Sequence, residues 1–274
     1  MKFVHVSDVH LSVPGDRVEG YDPHKRLNQC LAHIAQHHGD AARVVITGDL
    51  THWGEAEAYQ ALRTVIAETD LTIRLLIGNH DNRAVFRETF FDHPTDDHGF
   101  INHAEALEVG RFIYCDTNEP GTHAGHFGPE RRAWLETQLT AADDGAYLFF
   151  HHNPAEIRQP AMDQIGLVTD DRDALRALLR RYRDRIRYLF FGHTHLTVSG
   201  QFAGIPFACV RATVHQSLPD FSDRRELTGG ELDPYYAVVL VEEDDVLVHQ
   251  IPFLYDGPVH LSGVAWDDWT KPST

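Results

Sequence analysis

Short apolar runs alternate along the chain with segments in which apolar residues recur at helical spacing. The apolar runs predict strands at residues 2–6, 43–47, 73–77, 111–115, 146–150 and 187–191. The periodic segments between them predict helices at about residues 24–38, 54–68, 129–139 and 170–184. A regular order of strand, helix and strand is typical of α/β proteins whose strands lie parallel. We therefore predict an α/β fold with largely parallel strands in this part of the chain.

The pattern changes after residue 195, where strands follow one another without helices. Alternating apolar positions in "LTVSGQFAG", "IPFACV", "YYAVVLV" and "VLVHQIPF" predict antiparallel strands, and the acidic segment "EEDD" joins the last two. No Ser- or Gly-rich linker divides the sequence. The sequence therefore predicts one domain that carries a C-terminal extension.

Composition and charge narrow the classes of function. The 274 residues are 42% hydrophobic and 24% charged, as in ordinary globular proteins with a sizeable core. No apolar run approaches the roughly 20 residues that a membrane span needs. The start "MKFVHVSDVH" is too brief and polar for an export signal, which favours a cytoplasmic location. The formal net charge of −17 argues against binding long nucleic acid through a broad basic surface.

Five of the predicted strands run directly into residues that can bind a metal ion. The carboxyl ends of parallel strands meet at one edge of a sheet, where ligands bind in open α/β proteins. A turn or a helix cap would explain one such residue, but not five strand ends in the same arrangement. The residues are Asp8 and His10, Asp49, Asn79 with His80 and Asp81, His151 with His152, and His193 with His195.

Imidazole and carboxylate ligands in one place suit zinc, manganese, iron or cobalt. The candidates outnumber the four to six ligands that a single ion takes, so the sequence predicts two ions. Two neighbouring ions need a bridging ligand, and a carboxylate has two oxygens that can serve. Asp49, in the central turn, is the predicted bridge.

The motifs "DVH", "GDL", "GNHD", "HHNP" and "GHTH" occur in this order between residues 8 and 195. Together they resemble the calcineurin-like metallophosphoesterases, and most of all the bacterial branch of class III cyclic nucleotide phosphodiesterases and glycerophosphodiesterases. The resemblance implies a four-layer α/β/β/α sandwich with metals at the carboxyl ends of the strands. It also implies a catalytic core at residues 1–215, followed by a segment at 216–274 with a lid or oligomerisation loop and a final β-hairpin that completes the sandwich.

The resemblance also assigns roles to individual residues. One ion would be held by Asp8, His10, Asp49 and His195. The second would be held by Asp49, Asn79, His151 and His193. His80 would face the substrate and His215 would be a further active-site histidine, while Asp81 would orient His80 or cap the next helix. His152 would support the ligands or be structural.

The implied function is that of a dinuclear-metal phosphodiesterase. It would hydrolyse small phosphodiesters, such as 3′,5′-cyclic AMP or glycerophosphodiesters, by in-line attack of a metal-activated hydroxide. The cofactors would be two divalent or trivalent ions of iron, manganese, zinc or cobalt, with iron and manganese favoured, and the chain would form a homodimer or a higher oligomer. The alternatives are a phosphomonoesterase or nuclease on the same fold, a non-catalytic scaffold, and a histidine-rich metal-storage module. The complete ligand set weighs against the scaffold.

Two features of the sequence bear on the substrate. Glycerophosphodiesterase-like members carry a tyrosine soon after the first motif, but this chain has Glu19 and Gly20 there and Tyr21 one or two places later. This difference leaves the exact diester open. The five motifs contain no Lys or Arg, and the nearest, Arg83, is expected to point into the following helix. A site without an added cation is expected to prefer singly charged diesters over monoesters.

Overall fold

The computed structural model describes residues 1–259, which form two large β-sheets packed face to face between two layers of helices, and a small antiparallel sheet of two strands, Gln216–Ser217 and Gly229–Gly230. The strands are β1 (Lys2–Val6), β2 (Val44–Thr47), β3 (Ile73–Leu76), β4 (His103–Leu107), β5 (Gly110–Cys115), β6 (Ala146–Phe150), β7 (Ile186–Phe191), β8 (Val198–Phe202), β9 (Ile205–Cys209), β10 (Gln216–Ser217), β11 (Gly229–Gly230), β12 (Tyr235–Val241) and β13 (Val246–Pro252). The helices are α1 (Pro23–His38), α2 (Ala56–Ala67), α3 (Arg83–Thr89), α4 (Pro129–Thr140), α5 (Pro160–Asp163) and α6 (Thr169–Arg181), followed by a 3-10 turn at Arg183–Arg185.

Each of the two large sheets has parallel strands at its centre. The first sheet has the order β13-β12-β1-β2-β3, in which β1, β2 and β3 are parallel and β12 runs antiparallel to β1. The second has the order β4-β5-β6-β7-β9-β8, with β5, β6, β7 and β9 parallel and both edge strands antiparallel. Parallel neighbours bring their carboxyl ends together at the same edge of each sheet.

Helix α1 shows why the outer layers form where they do. The side chain of Asp22 accepts a hydrogen bond from the backbone N–H of Lys25, and Pro23 occupies the first turn, so the helix has a strong start. Its buried residues recur every three or four positions, at Leu27, Leu31 and Ile34. This apolar face packs against the side chains of the first sheet that point away from the second sheet.

Aromatic side chains fill the space between the two sheets. Phe3 of the first sheet meets three rings of the second edge-on, with centroid distances of 5.0 Å to Phe112, 5.8 Å to Phe149 and 5.3 Å to Phe190. Edge-to-face pairs at this distance add to the stabilisation that comes from burial alone. The next residue, Val4, points to the opposite face and joins the core under the helices.

The architecture confirms the predicted α/β/β/α sandwich. The six strands predicted before residue 195 all occur, with ends within one residue of the predicted ones, and the four predicted helices occur too. The sequence pattern did not predict α3, α5 or β4. None of the helices in residues 1–259 combines the length and apolarity needed to cross a lipid bilayer.

The C-terminal segment predicted at residues 216–274 contributes to the first sheet. Strand β12 pairs with β1, and β13 pairs with β12, so this hairpin supplies two strands of that sheet. Residues 260–274 of the segment lie outside the described part of the chain. The division into a core and a C-terminal segment stays a prediction.

Candidate metal centre

The polar residues predicted from the strand ends converge at one edge of the two sheets. The first sheet supplies residues that follow β1, β2 and β3, and the second supplies residues that follow β6 and β7. Because the sheets pack face to face, these five ends meet across the gap between them. The seven predicted metal ligands form two groups, which share Asp49.

The first group contains Asp8, His10, Asp49 and His195, all buried, with one ligand atom from each lying within 4.8 Å of the others. The Nε2 atoms of His10 and His195 are 3.1 Å apart. The Nε2 atom of His195 is 3.3 Å from Oδ1 of Asp8, and that of His10 is 3.5 Å from Oδ2 of Asp49.

The second group is arranged around Nε2 of His151. This atom lies 3.0 Å from Oδ1 of Asn79, 3.3 Å from Nδ1 of His193 and 3.3 Å from Oδ1 of Asp49. Asp49 therefore turns one carboxylate oxygen toward each group. This is the orientation that a bridging ligand requires.

The donor atoms fit metal ions in both groups. Nitrogen and oxygen ligands bind such ions at about 2.0–2.2 Å, so ligands of one ion lie roughly 3.0–3.5 Å from each other. The six separations given above fall in this range. The Nε2 atoms of His10 and His195 face each other and also face carboxylate oxygens of the group, so they are placed to share a cation.

Backbone carbonyls orient two of the histidines. Nδ1 of His151 donates to the carbonyl of Thr47 at 2.7 Å, and Nδ1 of His195 donates to the carbonyl of His215 at 2.9 Å. A proton on Nδ1 leaves the Nε2 lone pair free to face the centre. The corresponding Nδ1 of His10 instead faces Nδ1 of His52 at 3.2 Å.

The turns that carry the ligands have strained backbones. A positive φ is rare for residues other than Gly and costs of order 1–3 kcal/mol, so it is kept where the surroundings fix it, often at functional sites. Five of the predicted ligands have a positive φ: Asp8 at 55°, His10 at 43°, Asp49 at 47°, His193 at 65° and His195 at 52°.

Glycines allow the turns to approach one another closely. A Cβ atom on Gly78 would overlap the Asp49 carboxylate and the ring of His151. A Cβ atom on Gly192 would overlap the side chains of Ser7 and Asp8. Any larger residue at either position would push the two sheets' ligands apart.

Electrostatics couple the carboxylates to the imidazoles. Burial opposes the charge on Asp49, but the nearby His151, His80 and His10 hold the pKa of its carboxyl well below its usual range. Burial also opposes a charge on His151, yet the Asp49 carboxylate raises the pKa of that imidazole to about 9. A metal ion bound by His151 must therefore displace a proton, which makes metal binding depend on pH.

His80 and His215 lie beside the two groups. The backbone N–H of His80 donates to Oδ1 of Asp49 at 2.9 Å, and its Nδ1 donates to the carbonyl of His52 at 2.8 Å. The ring of His215 is 4.4 Å from that of His195, between centroids. Burial and the neighbouring His195 lower the pKa of His215 to about 3, so this imidazole is neutral near pH 7.

The structure gives Asp81 a different role from the predicted one. Its carboxylate neither orients His80, which bonds to His52, nor caps α3, whose cap is the side chain of Asn82. It is buried and accepts five hydrogen bonds, from the backbone N–H of Leu50, Thr51 and Gly78 and from the hydroxyls of Thr51 and Tyr59. Asp81 therefore ties the turn after β3 to the turn after β2.

Two histidines of the site were not recognised from the sequence. His52 contacts His10 and His80, and Nδ1 of His123 accepts a hydrogen bond at 2.9 Å from the amide Nδ2 of Asn79. The bond from Asn79 turns its Oδ1 toward His151. The only signal in the sequence was their presence among 20 histidines, close to "GDL" and in "GTHAGH".

His152 lies beside the second group, with its ring 4.6 Å from that of His193 between centroids and one ring nitrogen within 4.8 Å of ring nitrogens of His151 and His193. Its Nδ1 lies 2.7 Å from the hydroxyl of Thr117, and its Nε2 lies 3.2 Å from the carbonyl of His123. Both ring nitrogens therefore contact neighbouring protein groups, and the supporting role of His152 stays a prediction.

A cavity of about 630 Å³ opens onto the two groups. Glu19, Tyr21, Leu227 and Glu231 are among the residues that line it, with His80, His123 and His215. No Lys or Arg belongs to this lining in the part of the chain that the structure describes. Arg83 pairs with Asp116 at 2.8 Å instead of pointing into the cavity.

Comparison with known proteins identifies relatives that match most of the chain. The sequence profile of the calcineurin-like phosphoesterases matches residues 1–196. A protein of Rhodopseudomonas palustris named as a probable cyclic nucleotide phosphodiesterase is 38% identical over 263 residues, which are 94% of this chain and 95% of that one. A glycerophosphodiester phosphodiesterase of Enterobacter lignolyticus is 30% identical over 223 residues, 79% of this chain and 78% of the other.

Solved structures show the same fold at lower sequence similarity. The purple acid phosphatase from yellow lupin (Lupinus luteus) seeds matches with a TM-score of 0.65 and 15% identity, over 94% of this chain and 52% of that chain. The profile match and the two relatives indicate the same family, and the solved structure shows the same fold. The chain belongs to the calcineurin-like phosphoesterase family.

Proposed function

We propose that this chain is a metal-dependent phosphodiesterase that hydrolyses small phosphodiesters, either cyclic nucleotides or glycerophosphodiesters. The observation that carries the proposal is the pair of ligand groups that share Asp49 at the floor of a cavity, beside His80. The names of the two relatives, a cyclic nucleotide phosphodiesterase and a glycerophosphodiester phosphodiesterase, support this substrate class.

The first ion would be held by Asp8, His10, Asp49 and His195, and the second by Asp49, Asn79, His151 and His193. When bound, two such ions lower the pKa of a water molecule and neutralise the phosphate. Carboxylate, amide and imidazole donors suit iron, manganese, zinc and cobalt, of which we favour iron and manganese. The cytoplasmic location stays a prediction from the sequence.

His80 is the residue we assign to the phosphate. Its Nδ1 is held by the carbonyl of His52, so Nε2 is the nitrogen that remains for the substrate. With Nδ1–H bound to the carbonyl, Nε2 can donate a hydrogen bond to an equatorial phosphate oxygen, or a proton to the leaving alkoxide, in the imidazolium form of His80, whereas the neutral form can only accept there. The neutral His215, beside His195, is suited to binding a substrate oxygen and not to carrying charge.

The charges around the cavity favour a diester. A phosphomonoester near pH 7 carries almost two negative charges, which a cationic side chain beside the metals would neutralise best. The nearest arginine in sequence, Arg83, is bound to Asp116, and two carboxylates, Glu19 and Glu231, lie in the cavity wall. These carboxylates repel a second negative charge, whereas a diester brings only one.

The first prediction compares the two classes of ester. The protein, reconstituted with the same metal and at the same pH, should hydrolyse bis(p-nitrophenyl) phosphate with a higher kcat/KM than p-nitrophenyl phosphate. Both values are divided by the uncatalysed rate of the same ester, so that intrinsic reactivity does not decide the comparison. A clear preference for the monoester would refute the phosphodiesterase assignment and leave the metal centre standing.

The second prediction separates chemistry from metal binding. His80→Ala should bind as many metal ions as the unmodified protein, because His80 belongs to neither ligand set. Its kcat should fall by about 10²–10⁴-fold, the range of general acid–base catalysis. His98→Ala, at an exposed position remote from the motifs, is the matched control and should keep full activity. Loss of metal from folded His80→Ala would make His80 a ligand instead.

We also infer that the chain forms a homodimer or a higher oligomer through the segment after His215. Phe221 and Leu227 in this segment are 72% and 54% exposed, and Leu227 lines the cavity. Contiguous exposed apolar patches mark protein–protein interaction sites, and we infer that these two side chains belong to one such patch. Light scattering at micromolar concentration should give at least twice the mass of one chain, and Phe221→Ser should lower it. A monomer mass for the unmodified protein would contradict the inference.

A further inference from the structure

The side chain of His52 lies between a predicted metal ligand and the predicted substrate-facing residue. Its Nδ1 is 3.2 Å from Nδ1 of His10, and its ring stacks on that of His80 with a centroid distance of 5.1 Å and an angle of 18°. Its backbone carbonyl accepts the hydrogen bond from Nδ1 of His80. His52 thus contacts both the predicted metal ligand His10 and the predicted substrate-facing residue His80.

The protonation of His10 follows from the direction of its other nitrogen. Nε2 of His10 faces His195 and Asp49 in the first group, so it must be free of a proton to bind an ion. A neutral imidazole then carries its proton on Nδ1. The group within reach of that proton is Nδ1 of His52, which must accept it and carry its own proton on Nε2.

The hydrogen-bond acceptor of His10 differs from the acceptors of His151 and His195, the two other histidines whose Nε2 atoms face the metal groups. His151 and His195 donate to backbone carbonyls, which no substitution of the partner's side chain removes. His10 depends on a side chain. Among the hydrogen bonds that orient His10, His151 and His195, only the one at His10 can therefore be removed by substituting a side chain while the backbone stays in place.

We propose that the side chain of His52 is a positioning residue that accepts the Nδ1–H of His10 and so holds its Nε2 toward the first metal ion. This inference rests on the metal centre of the proposed function. Acceptors of this kind fix the tautomer and ring orientation of a metal-bound histidine and raise its basicity, and their loss typically weakens metal affinity by 10–100-fold.

Neighbouring rings hold His52 in the orientation that this role needs. Trp53 packs edge-on against it at a centroid distance of 4.5 Å, and His80 stacks on it. The turn that carries His52 follows directly from "GDL" and is tied to the turn after β3 by the hydrogen bonds from Leu50 and Thr51 to Asp81. The acceptor is thus held by the same turns that hold Asp49 and His80.

The test uses two substitutions of His52 and one control. His52→Leu removes the acceptor but keeps the bulk and the backbone carbonyl. His52→Asn keeps an acceptor, because its Oδ1 occupies nearly the position of the imidazole Nδ1. His33→Leu is the control, since His33 is also half-buried and its Nδ1 also bonds a side chain, the hydroxyl of Tyr236, but remote from the site.

The readout is calorimetric titration of each metal-free protein with Mn²⁺, with thermal unfolding to verify that each variant is folded. The Kd of one of the two ions should rise about 10–100-fold in His52→Leu, and stay within a few-fold of the unmodified value in His52→Asn and His33→Leu. An unchanged Kd in His52→Leu would overturn the inference. So would an equal loss of affinity in folded His52→Asn, which would make His52 itself a ligand. If the unmodified protein binds no Mn²⁺, the proposed metal centre fails, and with it the inference.

Discussion

The carboxylate of Asp49 is the group on which the arrangement of the whole site depends. It is buried, and a carboxylate held away from water is costly unless opposite charges or hydrogen-bond donors surround it. One oxygen faces His10 of the first sheet, and the other faces His151 of the second. The backbone N–H of His80 donates to it as well. Because Asp49 needs partners from both sheets, it favours one position of the first sheet's edge relative to the second.

The rest of the fold places the other site residues close to the Asp49 carboxylate. The aromatic layer around Phe3 packs the sheets against each other, and parallel strands bring the carboxyl ends to one side. Glycines at the turns remove the Cβ atoms that would otherwise separate Asp49 from His151. The turns accept strained backbones, and the hydrogen bonds of Asp81 hold two of them together. Structural stability is thus given up locally to keep the ligand atoms close, as is usual at functional sites.

Much of the fold and of the metal centre could be predicted from the sequence. The roles of Asp81, His52 and His123 could not, because they depend on distant residues. Strand periodicity and the polar residues after each strand depend only on local sequence, so the α/β pattern and the convergence of Asp8, Asp49 and His193 followed from them. The four-layer sandwich followed from the resemblance of the five motifs to a known family. The role of Asp81 depends on donors 30 and 31 residues upstream, at Thr51 and Leu50, which no local pattern shows. The roles of His52 and His123 likewise depend on which side of a turn each ring occupies. Only the packed structure fixes this.

If Asp49 joins two metal sites into one centre, its substitution must change the number of metal ions that each folded chain holds. The protein and its Asp49→Ala variant would be reconstituted with Mn²⁺, dialysed to remove unbound metal and analysed for ions per folded chain. We expect two ions in the unmodified protein and a loss at both sites in Asp49→Ala, because each ion loses a ligand. Saturation of the fully active unmodified protein at one ion per chain, or retention of both ions in Asp49→Ala, would contradict this expectation.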